Sequence, residues 1–147
     1  MEAIVALANK MKTLNLQEIE KRVLQKHQSE IIDSNIEQLK RGEDAEGNKL
    51  PEYEYESYYK GKAAQGLLFN AGRHWNFILE GDFTGGFYVY QKQNNAIIDS
   101  RDSKRERLVR KVMPQPIFGL QDNELKELEQ NYLIEEIEKE ILNHLKL

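Results

Sequence analysis

The side chains able to do chemistry in this 147-residue sequence are scattered. There is no cysteine, so thiolate nucleophiles, disulfides and cysteine-based zinc sites are excluded. The three histidines, His27, His74 and His144, include no pair at the H-x-x-x-H spacing that puts two ligands on one helical face. Glu80 and Asp82, two apart in an extended segment, share a face, and with Lys104 they would make a nuclease-like metal site. A turn and a cap are the favoured reading of the same residues. Ser57, Ser100 and Ser103 have no G-x-S-x-G context. Asp44-Ala45-Glu46-Gly47-Asn48 looks like a calcium loop at first glance. Its glycine comes at position 4 rather than 6, and Tyr55 stands at position 12, where the loop needs glutamate. An Asp-x-x-Gly turn is expected there. No catalytic residue, metal ligand or cofactor site is assigned, and the expectation is a protein that binds rather than one that turns over a substrate.

Binding chemistry is concentrated in two stretches. Leu50 to Lys62 holds Tyr53, Tyr55, Tyr58 and Tyr59 in a polar context. Tyrosine buries area at low entropic cost and is common at interfaces, although these four serve equally well against the protein's own sheet. Base stacking is a third reading, opposed by the interleaved Glu52, Glu54 and Glu56, which repel phosphate. The second stretch is Arg101 to Lys111, with six cations against two acids. Lys104, Arg107 and Lys111 share one helical side, with Arg105 and Arg110 flanking. Such a surface touches phosphate without reading sequence, or it faces an acidic neighbour. The chain supplies one: Asp122 to Glu140 carries eight acids against Lys126 and Lys139. A basic helix solvated or salt-bridged to the acidic last helix is the favoured reading, and the two patches meet within one molecule or across a subunit boundary.

The elements that position these residues follow from periodicity. Phe87, Val89 and Gln91 alternate with Tyr88, Tyr90 and Lys92, and Ile97 and Ile98 follow after a polar break. This predicts a hairpin: strand Phe83 to Lys92, turn at Asn94-Asn95, strand Ala96 to Asp99. Two strands are marginal alone, so helices must cover them. Asn15 to Arg41 is expected to be one long helix, capped by Asn15 with Glu18 three residues on and stopped at Gly42. Glu43 to Gly61 reads as loop. A short basic helix is predicted from Ser103 to Val112, with Asp102 as its cap and Pro114 as its stop. A last helix is predicted from Asn123 to Leu145, with Leu125, Leu128, Tyr132, Ile134, Ile137, Ile141 and Leu145 as its seam. That helix is longer than a small sheet can cover. Trp75, Phe87, Tyr132, Ile137 and Ile141 therefore join the four tyrosines as candidate interface residues. The fold expected is α+β: long N-terminal and C-terminal helices on a small antiparallel sheet with a central hairpin. Residues 1–14 form an arm, and residues 15–147 form one domain.

The composition fits long amphipathic helices, or a subunit that finishes its burial against neighbours. The chain is 39% hydrophobic and 31% charged with net charge −4, so its core is modest and its surface highly charged. The negative balance argues mildly against coating nucleic acid. No apolar run approaches a membrane span, and Glu2 stands where a signal peptide wants positive charge. A soluble protein made in the cytosol, without membrane contact, is expected.

Several short words also occur in order: Leu39-Lys40-Arg41-Gly42-Glu43-Asp44-Ala45-Glu46-Gly47, Leu79-Glu80-Gly81-Asp82-Phe83, Phe87-Tyr88-Val89, Ser100-Arg101-Asp102-Ser103-Lys104 and Ile117-Phe118-Gly119-Leu120. Together the set resembles small virion-morphogenesis proteins of tailed bacteriophages, of the head–tail connector and tail-completion (neck) kind, over roughly Leu39 to Leu120. The resemblance implies a structural protein of the virion that forms a homo-oligomeric ring at the head–tail junction. Its partners would be portal, neck or tail proteins, and packaged DNA lies within reach of the basic helix. The runner-up is a nucleic-acid-associated protein using Arg101 to Lys111, and a weaker third is the nuclease set of Glu80, Asp82 and Lys104.

Overall fold

The structure, a computed structural model, describes residues 2–78, 82–93 and 95–146. It is α+β, with helices arranged around a single two-stranded antiparallel sheet. Helix α1 (Glu2–Lys12) comes first. Asn15 then caps helix α2 (Leu16–Lys26), its side chain accepting the Glu18 N–H at 3.2 Å. The single long helix expected to Arg41 is broken. His27 leaves helical geometry at φ −105°, ψ 21°, and helix α3 (Gln28–Lys40) starts after it. The inward residues Ile19, Val23, His27, Ile31 and Asn35 are spaced by four, and each step of four turns a straight helix by about 40° beyond a full circle. The kink at His27 keeps both halves of that stripe facing the core.

The end of α3 is sharply made. Gly42 N–H donates to Leu39 O at 2.8 Å and Glu43 N–H to Gln38 O at 3.1 Å, a Schellman ending with Gly42 at φ +70°. A Cβ on Gly42 would stand 2.8 Å from the Cβ of His74. Two amides on α3 then dock a distant segment. Asn35 donates to Ile117 O at 2.9 Å and accepts from Gly119 N–H at 3.0 Å. Gln38 donates to Gly119 O at 2.9 Å and accepts from Gln121 N–H at 2.8 Å. Both side chains are fully buried, and each donates one bond and accepts another.

The hairpin pairs strand β1 (Phe87–Lys92) with strand β2 (Asn95–Ser100), in register from Phe87 opposite Ser100 to Lys92 opposite Asn95. The turn is one residue earlier than expected, because Asn95 is already paired and Gln93 takes the positive φ of +56°. The first strand also starts later. Asp82–Gly85 is a helical turn, helix α5, with Phe83 buried inside it. Gly86 then passes so close to the Ser100 hydroxyl and the Asp102 amide that a Cβ would lie 2.9 and 3.0 Å away. Gln28 of α3 accepts the Val89 N–H at 3.1 Å and so blunts the β1 edge. Among the described residues no strand lies beyond β2.

Part of the expected loop is helix α4 (Glu56–Ala64). Its one buried residue is Lys62, so it has no apolar stripe to betray it. Helix α6 (Arg105–Arg110) is shorter than expected at both ends. The last helix begins as α7 (Asp122–Leu128), passes through one π turn (Glu129–Leu133) and continues as α8 (Ile134–Leu145). The core joins Ile31, Leu39, Leu50, Phe77, Phe83, Phe87, Val89, Ile98, Leu108, Val112, Ile117 and Leu128.

Candidate functional site

An isolated antiparallel bridge between Glu52 and His74 places the tyrosine stretch. Tyr53 N–H donates to Arg73 O and Trp75 N–H to Pro51 O, both at 2.8 Å. These bonds bring Trp75 beside the tyrosines. Tyr53 lies 5.3 Å from both Tyr58 and Trp75 between ring centroids, and Tyr58 stacks on Trp75 at 6.3 Å and 27°. The series continues inward through Phe77, Phe83 and Phe87, with centroids 5.2 to 5.7 Å apart. A continuous aromatic path thus runs from the core to the surface.

Across from this wall stands α6. Asp102, expected as its cap, instead forms the turn before it, its Oδ1 accepting the Lys104 N–H at 2.8 Å, and Lys104 takes the N-cap position of the helix without a side-chain bond. Leu108 anchors it in the core. Between the two walls lies a groove of about 570 Å³, with Tyr55, Tyr58 and Trp75 on one side and Arg107, Leu108 and Lys111 on the other. Glu52 and Glu54 also line it. The two stretches singled out in the sequence therefore meet in one place.

Behind the groove, Lys62 of α4 is only 5% exposed. Its ammonium donates to Tyr53 Oη at 2.8 Å and to Asn76 Oδ1. Asn76 is fully buried and is held in turn by the carbonyls of Leu67 and Leu68. Burial pulls the Lys62 pKa down to about 8 and pushes the Tyr53 phenol up. Sequence reasoning missed Lys62, because a lysine in a polar helix carries no sign that its helix turns it inward.

The expected residues separate as follows. Tyr55 is 69% exposed, and Tyr58 and Tyr132 are exposed too. Trp75 is half-buried in the groove wall. Tyr59 is half-buried and turned to Arg73, whose guanidinium lies 4.2 Å from its ring. Tyr53 and Phe87 belong to the chain's own interior and leave the interface set. Ile137 and Ile141 are half-buried on the inner side of α8. Of the cations, Arg105 is committed internally. It bonds Asp99 at 2.6 Å and Glu106 at 2.5 Å, and the Asp99 bond chiefly raises its pKa. Lys104 reaches Asp82 at 3.4 Å. Arg107, Arg110 and Lys111 form no ion pair among the described residues. The acidic last helix takes its intramolecular ion pairs elsewhere: Glu136 from Lys26 of α2 at 2.9 Å, Glu140 from Arg22 at 3.2 Å and Glu124 from Arg41 at 3.2 Å. Of the favoured expectation, a basic helix solvated or salt-bridged to the acidic last helix, the salt bridge within one molecule is corrected by these pairs.

The chemical alternatives are likewise placed. Of the nuclease set, Glu80 lies outside the described residues, and Asp82 is an exposed carboxylate at the start of α5. His74 Nδ1 meets Leu50 O at 2.6 Å, His144 Nε2 meets Lys10 O at 2.9 Å, and His27 sits at the kink. Asp44 is buried in its turn, with Oδ1 accepting the Glu46 and Asn48 amides at 2.8 and 2.9 Å and Oδ2 the Gln115 amide at 3.0 Å. These oxygens are used by N–H donors, as the turn reading predicts. No helix among the described residues is long and apolar enough to cross a membrane. No family model, curated protein or solved structure matches this chain.

Proposed function

We propose that this protein is an architectural subunit of a tailed-bacteriophage virion, one that builds a ring at the head–tail junction through protein–protein contacts. The observation that carries the assembly reading is its surface. One copy exposes 9605 Å², whereas a compact monomer of its 17.2 kDa exposes about 7,800 Å². The excess of about 1,800 Å² is close to the roughly 1,600 Å² that a ring subunit hides against two neighbours, at about 800 Å² per standard contact. The phage assignment rests on the sequence words from Leu39 to Leu120.

Chemistry agrees with that area. Ile4, Val5 and Met11 of α1 are exposed, as are Leu125, Ile134 and Leu142 on the last helix. Arg110 of α6 and Lys111 just after it suit the exposed carboxylates of α7 and α8 on the next copy. A basic patch meeting an acidic one is a heterologous contact, and such contacts close into rings when the rotation permits. The work of the protein is then to join copies and companions, without substrate turnover.

The test is a charge reversal with rescue. Arg110→Glu with Lys111→Glu should disperse the assembly in sedimentation at low salt. Adding Glu127→Lys and Glu138→Lys should restore it. Unchanged sedimentation in the first variant, or failure of the rescue, removes this contact from the account.

A further inference from the structure

A second cavity opens beside the groove, between α4 and α6, with a volume of about 400 Å³. Lys62, Lys104 and Arg107 line it together with Ser57, Tyr58 and Gln65, and no carboxylate among the described residues lines it. We propose that this cavity is a binding site for a phosphoryl group, carried on a small phosphate ester.

The argument starts at Lys62. Its amine is buried, and the two partners it has, the Tyr53 phenol and the Asn76 carboxamide, are neutral. Among the described residues no carboxylate pairs with it. A buried cation without a counter-charge is costly, and it either loses its proton or gains an anion. The depressed pKa shows the first response, and a bound dianion supplies the second. Lys104 and Arg107 bring two more cations to the same space. Among the described residues, the 3.4 Å contact to exposed Asp82 is the one ion pair of Lys104, and Arg107 has none. An Arg fork and two ammonium groups match the oxygens of a phosphate dianion. Ser57 and Gln65 add neutral donors.

The surroundings select the rest of the ligand. Arg107 and Tyr58 line both the cavity and the groove, so the two spaces adjoin. The Tyr58 and Trp75 rings offer a flat apolar shelf next to the phosphoryl position. Glu52 and Glu54 line that groove. They repel a chain of further phosphates, which favours a small ester over a polynucleotide. This site is independent of the subunit contact, which uses Arg110 and Lys111.

The experiment is calorimetric titration of the full chain with inorganic phosphate in a buffer free of other oxyanions, then with a single-stranded oligonucleotide. Saturable phosphate binding is expected, at least tenfold weaker in Arg107→Ala and in Lys62→Met. Lys60→Ala, which removes the same charge from α4 outside the cavity, should bind as the parent does. Because Lys62→Met alters the interior, Arg107→Ala at the cavity wall decides the matter if that variant fails to fold. Phosphate binding that is absent, or weakened equally by Lys60→Ala, overturns the site in favour of a diffuse positive field. An oligonucleotide that binds more tightly than phosphate, with steep salt dependence, overturns the small ligand in favour of nucleic acid.

Discussion

A lysine ammonium that reaches only a phenol and a carboxamide has exchanged its hydration for two neutral hydrogen bonds, and Lys62 is in that position. The consequence is measurable. Its folded pKa of about 8 lies below the ordinary 10.5, so between those values the unfolded chain holds more protons than the folded one. Stability then rises with pH across that window, and the burial penalty is fully present below pH 8. The whole effect is about 3 kcal/mol if all of it is realised. In an oxyanion-free buffer, the melting temperature of the parent should gain on that of Lys62→Met from pH 8 to pH 10. Parallel curves would show that the amine is not desolvated. Gly42 makes the second residue-scale test. Its positive φ and the nearby Cβ atoms of His74 and Ala71, 2.8 and 3.0 Å from an added methyl, leave no room for a side chain. Gly42→Ala should cost about 2 to 3 kcal/mol in urea unfolding, against roughly 1 for an unobstructed left-handed glycine.

At the scale of elements, the π turn decides which side of the last helix is inside. It adds one residue to a turn and so advances the downstream face by one position. Leu133, Ile137, Ile141 and Leu145 thereby come to the inner side, while Tyr132, Ile134 and Leu142 are left exposed. Deleting Asn131 would leave that face in place, because Leu133 would then stand four residues after Leu128. Inserting one alanine after Ile134, beyond the π turn, should instead rotate the rest of α8 by about 100°. The α2–α8 ion pairs of Arg22 and Lys26 and the α1 contacts at His144 depend on the present phase. The variant should therefore melt several degrees lower, and hydrogen exchange in α1 should speed up. Unchanged exchange in α1 would mean that the helix phase does not hold it.

The same elements show what was legible in the sequence. The hairpin, the Asn15 cap, the Gly42 stop and the last helix were readable, because alternation, capping and glycine are local signals. The kink at His27 was not, since a four-residue spacing fits one helix until its drift is added up. Helix α4 was missed because its buried residue is a lysine. The docking of Ile117 to Gln121 by Asn35 and Gln38 was hidden as well, for amides on a helix face look like surface until their distant partners are known. For the site, each half was visible as tyrosines or cations. Their meeting, and the burial of Lys62 behind them, depended on tertiary structure.

On the scale of the whole molecule, the interior is narrow and the surface large. The core gathers around one hairpin, and α1 packs on α8 at the periphery with apolar residues outward. The basic helix and the acidic last helix, which could neutralise one another in a closed monomer, satisfy themselves on other groups or stay open. On the proposed reading, neighbours complete this shape. The most direct test is the native mass of the purified protein over a range of protein concentration and salt. A single dominant closed multiple of 17.2 kDa, favoured by concentration and weakened by salt, is the predicted result. A 17.2 kDa monomer under every condition would contradict the assembly account.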